Sequence, residues 1–207
     1  MGGAVTKRKP ESLSRLIGES IRPLPEASVA FYTLATAGPQ ARPGLLVKLR
    51  ALEADADSRH VTALRKSTGS FKTPLDHEDV LKLAEAAVDY IDQLGHVAIL
   101  LVGYKMGSLP KPLISMSKAL IGAAEELALA AGLLKKHAKF ERHLSVVNKH
   151  LTDFKDEYRA LLIDLLATDA APNPDAARIA SLGAGLERAN MLLADLTRSL
   201  VVTAGKE

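Results

Sequence analysis

Cysteine and tryptophan are both missing from this 207-residue sequence, and phenylalanine and tyrosine occur only four times each. Without cysteine there are no disulfides, no thiolate zinc sites and no thiol nucleophile, which suits a cytoplasmic setting. So few aromatics in a chain rich in Ala and Leu disfavour a β-sandwich and favour helices packed through small residues. The opening MGGAVTKRKPESLSRL is basic and polar with no apolar core, so no secretory signal is visible. Met1-Gly2 with Thr6 matches a myristoylation pattern, but six loosely specified positions match often by chance and the match is set aside. Gln93 to Tyr104, free of Asp, Glu, Lys and Arg, is shorter than a bilayer span. A soluble chain is expected.

Strong charge of one sign is lacking too. The net charge of +3 is far below what nucleic-acid binding demands, and no nucleic-acid partner is expected. No Gly-rich phosphate loop follows a strand, and no Ser-His-Asp spacing supports a nucleophile. Nucleotide binding and hydrolysis have no basis, and no catalytic residue is assigned.

What the sequence does carry is helical periodicity, broken at intervals by proline and glycine. Pro10, Pro23 and Pro25 make residues 1–24 read as an N-terminal arm with at most a short helix near Leu13 to Ile21. Helices are then predicted over Glu26 to Ala37 and Leu45 to Lys66, with Ser67 to Lys72 as a loop around Gly69. The third helix opens at Pro74 and Asp76 and carries Val80, Ala84, Ala87, Ile91, Leu94, Ala98 and Leu101 as one apolar stripe. Gly103, Gly107, Pro110 and Pro112 form the densest group of helix breakers and mark the midpoint. Three more helices follow, Pro112 to Leu134, Lys139 to Thr168 and Asp175 to Thr203. The last carries Ile179, Leu182, Leu186, Ala189, Leu193, Leu196 and Leu200 as its stripe. The expected fold is all-α: six long helices as two tandem three-helix bundles, residues 25–107 and 112–207.

Carboxylates recur on these helices at a spacing that bears on function. Glu53 and Asp57 stand four residues apart on the second predicted helix, and Glu85 and Asp89 do so on the third. Positions i and i+4 share a helix face, so each pair projects two acceptor-only side chains in one direction. His60 and Asp92 extend the two series at i+7. If the helices run antiparallel with these faces matched, Glu53, Asp57, Glu85 and Asp89 converge into an oxygen-rich site for a hard or borderline metal ion. Oxygen ligands alone favour magnesium, calcium or manganese; His60 would shift the preference toward iron or zinc. The alternative is a solvated helix face. The second half echoes the first in breakers and helix pattern. Glu53, Asp57 and His60 answer to Thr152, Asp156 and Arg159, and Glu85, Asp89 and Asp92 to Glu187, Met191 and Ala194. A degenerate second site would retain Asp156 and Glu187, with Arg159 supplying a cation where the first half would hold a metal.

The segment FKTPLDHEDVLKLAEAAVDYID, Phe71 to Asp92, resembles the signature of PhoU-like proteins of the Pit-accessory type, a phosphate transport regulator family. LEADAD, Leu52 to Asp57, is similar to that family's preceding Glu-x-x-x-Asp motif. DEYRALLIDLL, Asp156 to Leu166, and LERANMLLADL, Leu186 to Leu196, resemble weaker counterparts. The likeness spans roughly residues 26 to 200. It implies two three-helix bundles and metal-binding Glu/Asp-x-x-x-Asp motifs on their surface. It also implies a non-enzymatic role beside a Pit-type inorganic phosphate permease at the cytoplasmic membrane face. The ligands it implies are Glu53, Asp57, Glu85 and Asp89. Thr152 and Met191 depart from the pattern, as does Ala86, where the family has a further acidic residue.

Two other readings are kept. Asp57 and His60 form a carboxylate-x-x-His arrangement like those of di-iron bundles, which would make the chain a helical metalloenzyme. Glu141-Arg142-His143 lacks the spacing to complete such a set. A metal-free structural adaptor is the other. Basic residues with His137, His143 and His150 gather between Lys135 and Lys149, either as a solvated face or as a contact for phosphate, anionic lipid or an acidic partner. Homo-oligomerisation and the direction of regulation are left open.

Overall fold

The computed structural model describes residues 13–68, 74–166 and 174–206, and every regular element among them is an α-helix. In chain order these are α1 (Leu13–Ile21), α2 (Pro23–Thr36), α3 (Arg42–Thr68), α4 (Pro74–Tyr104), α5 (Lys111–Ala131), α6 (His137–Leu166) and α7 (Pro174–Ala204). The six main helices fall into the two expected sets of three, α2–α4 and α5–α7. The Met1-Gly2 segment, the Gly69 loop and Pro172-Asn173 lie outside the described residues, as does the side chain of Asp76.

Within the arm expected over residues 1–24, the short helix expected near Leu13 to Ile21 is α1, and it is docked on the bundle rather than free. α1 packs on α2, α3, α4 and α5, and Ile17 and Ile21 are fully buried. Leu16, Ile17 and Ile21 lie on one side of a single short helix, which suffices once neighbours offer an apolar groove. Pro23 and Pro25 do not unravel the chain, because they fall in the first turn of α2, where the missing N–H has no helical partner to lose.

α4 touches α1, α2, α3 and α7. All seven residues of its predicted stripe are buried, as are all seven of the α7 stripe. By length and composition the segment Glu78–Tyr104 could cross a membrane; in this fold its apolar stripe faces other helices. The two sets of helices meet along α2 against α5 and α4 against α7, and one buried apolar cluster draws on all seven helices. Polar bonds fix α4 and α7 antiparallel. Lys206 Nζ donates to both Asp79 oxygens at 2.9 and 2.8 Å, Gln93 Nε2 to the Gly185 carbonyl at 3.0 Å, and the Tyr104 hydroxyl to Ser181 Oγ at 3.2 Å.

Two buried polar contacts lock the first set. Ser28 Oγ gives its one proton to the Leu24 carbonyl at 2.8 Å, so the buried Tyr90 hydroxyl, 2.7 Å away, must donate to Ser28. Burial pushes the Tyr90 phenol well above its ordinary range. Arg42, at the start of α3, is 1% exposed and bonds only to carbonyls. Its guanidinium donates to Leu34 and Ala35 in the last turn of α2, and to Met106 and Gly107 just past α4. Lys105, with φ of 51°, provides the left-handed turn that ends α4 immediately before these two residues.

Candidate functional site

The acidic group is positioned by the close approach of α3 to α4. In α4, Gly95 has no side chain, and the Glu53 carboxylate occupies that space: a Cβ built on Gly95 would lie 1.5 Å from Glu53 Oε1. This contact sets the register. Asp57, one turn further along α3, then stands beside Asp92, which is also close enough to Asp89 to feel its charge. Glu53 is half-buried, whereas Asp57, Asp89 and Asp92 are exposed at the rim. Arg50 Nη1 donates to Glu53 Oε2 at 3.2 Å, and its charge acts on both Glu53 and Asp92.

Glu85 is not part of this assembly. It lies ten residues before Gly95, about 15 Å along the helix axis from the level of Glu53, so the four expected ligands do not meet as one set. The neighbours are Glu53, Asp57, Asp89 and Asp92. The half-buried His60 follows Asp57 on α3 with its Nδ1 enclosed and without a hydrogen-bond partner. Among the described residues no group of three or more His, Asp and Glu side chains is arranged to hold a metal ion.

The electrostatics show what the group lacks. Burial pushes the Glu53 carboxyl above its usual range; Arg50 pulls it back down, while Asp92 and Asp57 raise it further. Asp92 is raised by burial first, then by Asp57 and Asp89, with Arg50 opposing. Carboxyls raised in the fold bind protons more readily there than in the unfolded chain. Their contribution to stability is therefore greatest at acid pH and falls as pH climbs from the ordinary carboxylate range, about 4, through the raised values. Glu53→Gln with Asp92→Asn should thus be more stable than wild type at pH 7 in chelator-treated buffer, with the advantage shrinking toward pH 4. Urea unfolding across that range tests it; an advantage independent of pH would refute the electrostatic account.

On its other side the acidic rim borders a groove between α4 and α7 of about 320 Å³, lined by Asp89, Asp92, Gln93, His96, Arg188 and Leu192. The sequence reading missed Arg188 and His96, which gain meaning only when α7 is laid antiparallel beside α4. In the second half, Asp156 is paired with Arg159 at 2.8 Å, the cation expected there, and burial first, then a hydrogen bond to Glu187, raise the Tyr158 phenol above its ordinary range. His143 Nδ1 contacts Glu126 at 2.6 Å between α6 and α5. Among the described residues, α6 packs against neither α3 nor α4, so His143 is no partner for Asp57 and His60 in a di-iron arrangement.

No protein-family model and no curated protein sequence matches the chain. Solved structures do. A PhoU-like protein from Shewanella oneidensis MR-1 superposes with a TM-score of 0.80 at 12% identity, covering 94% of this chain and 100% of its own. A protein from the same organism described as a PhoU-like phosphate regulatory protein gives 0.75 at 14% identity, over 95% of this chain and 100% of its own. Over nearly its whole length, this chain has the PhoU-like fold.

Proposed function

We propose that the protein is a non-enzymatic regulator of inorganic phosphate transport, acting in the cytoplasm on a Pit-type permease at the membrane face. The observation that carries this reading is the full-length likeness to a PhoU-like phosphate regulatory protein, over 95% of this chain and the whole of that one. The acidic rim is the surface through which it would act. Glu53, Asp57, Asp89 and Asp92 are oxygen donors of the kind a hard divalent cation takes, and the Glu53 and Asp92 carboxyls, raised first by burial and then by their acidic neighbours, would be eased by a cation. Their present geometry is not that of a formed metal centre, and Arg50 already supplies part of the charge. Cation binding at this rim therefore competes with the Arg50–Glu53 bond.

Phosphate uptake in a deletion strain, complemented with wild type or with Glu53→Gln/Asp92→Asn, tests the reading. Wild type should restore regulation between phosphate-rich and phosphate-poor growth. The double variant should weaken it about fivefold or more, the scale of a typical coupling free energy. Uptake identical in all three strains under both conditions would end the transport reading. Full rescue by the variant would retain the partner and discard the acidic rim.

A further inference from the structure

We infer that the corner between α5 and α6 is a docking surface for an anionic lipid membrane. Lys136, Lys139 and Arg142 are exposed there, and among the described residues none has a hydrogen-bond or ion-pair partner for its side chain. Elsewhere on these helices, cations commonly sit one turn from an acid and bond it: Arg59 to Asp55, Lys149 to Asp153, Arg178 to Asp175. At the corner the steps i, i+3 and i+6 put the three cations along one side of the chain as it enters α6. Lys135 and His137 are also exposed there, and Glu141 is the only acid between residues 135 and 142.

The corner presents these charges on a rigid frame. Leu134 and Phe140 are each 1% exposed and anchor it to the core, while Lys136 N–H donates to Leu133 at 2.7 Å and the Lys136 carbonyl accepts from Phe140 at 3.0 Å. The first turn of α6 contains no acidic residue, so its positive pole adds to the cations rather than offsetting them. Leu129, 53% exposed in the last turn of α5, supplies an apolar side chain just before the corner. Lys136 and Arg142 are separated by six residues, about 9 Å of helix, so their charges spread over a surface instead of converging on a small anion. A plane of lipid headgroups matches that spread, with an apolar side chain entering beside it.

The test is co-sedimentation of the full chain with phosphatidylglycerol-containing vesicles and with neutral phosphatidylcholine vesicles. Each cation near an anionic surface contributes about fivefold to partitioning, so Lys136→Gln/Lys139→Gln/Arg142→Gln should reduce binding on the order of a hundredfold. Wild-type binding should weaken with salt and be negligible on neutral vesicles. Lys118→Gln/Lys155→Gln, which removes exposed cations elsewhere, should bind like wild type. No binding to anionic vesicles, equal binding to neutral ones, or equal loss in the control variant would overturn the proposal. Release by inorganic phosphate at matched ionic strength would overturn it in favour of a free-anion site, and binding only to permease-containing vesicles in favour of an acidic protein surface. Lipid-only vesicles contain no transporter, so failure there leaves the transport reading standing.

Discussion

Arg42→Met should lower the unfolding free energy by about 3–5 kcal/mol, the sum of roughly 1–3 kcal/mol for each of two or three buried carbonyls left without a donor. Methionine can fill much of the space but donates nothing. The carbonyls of Leu34, Ala35, Met106 and Gly107 lose their common donor, at about 1–3 kcal/mol for each one that water cannot reach. For a chain of this size the melting temperature should fall by roughly 10 °C or more. Arg42→Lys should recover only part of the loss, since one ammonium cannot span the end of α2 and the turn after α4 together. Urea unfolding of the three proteins decides it. A loss below about 1 kcal/mol for Arg42→Met would mean that the latch is dispensable.

The second large effect is expected where α7 crosses α4. A Cβ added at Gly185 would lie 2.6 Å from Val97 Cγ2, and Val97 is 1% exposed, branched and without room to turn away. Gly185→Leu should therefore force the two helices apart, stretch the Gln93 bond to the Gly185 carbonyl and destabilise by about 3 kcal/mol, the upper part of the overpacking range. Gly103, also in a helix, has nothing within 4 Å of its added Cβ. Gly103→Ala should do the reverse and stabilise by up to about 1 kcal/mol through helix propensity alone. Thermal melts of both variants check the pair of signs; a stabilised Gly185→Leu would show the α4–α7 contact to be slack.

Much of this architecture could be read from the chain because stripes such as Val80 to Leu101 repeat at the helical period and are interrupted by dense breakers. α1 was harder: nine residues between prolines give too little periodicity, and only the groove formed by distant helices makes Ile17 and Ile21 core residues. Arg42 offered no signal, since an arginine at the head of a helix is ordinarily solvated. At the acidic group, residue types and faces were legible but the register was not. Matching Glu53–Asp57 antiparallel with Glu85–Asp89 set Glu53 opposite Asp89, whereas the real constraint was Gly95, whose missing side chain lets Glu53 settle six residues, about 9 Å, further along α4 and brings in Asp92. A glycine within an Ala- and Leu-rich stripe was the available clue to that approach.

The docking of α1 has a consequence for synthesis on the ribosome. α1 is completed early, yet one of the surfaces that cover Ile17 and Ile21 belongs to α5, which ends about 110 residues later. At bacterial and eukaryotic elongation speeds this is a wait of roughly 5–20 s with those aliphatic side chains exposed to other nascent chains. The shortest helix shares this interval with α2, which also packs on α5, but α2 can dock in the meantime on α3, which follows it directly. Chaperone capture during translation should concentrate on chains that have emerged past α1 but not yet through α5.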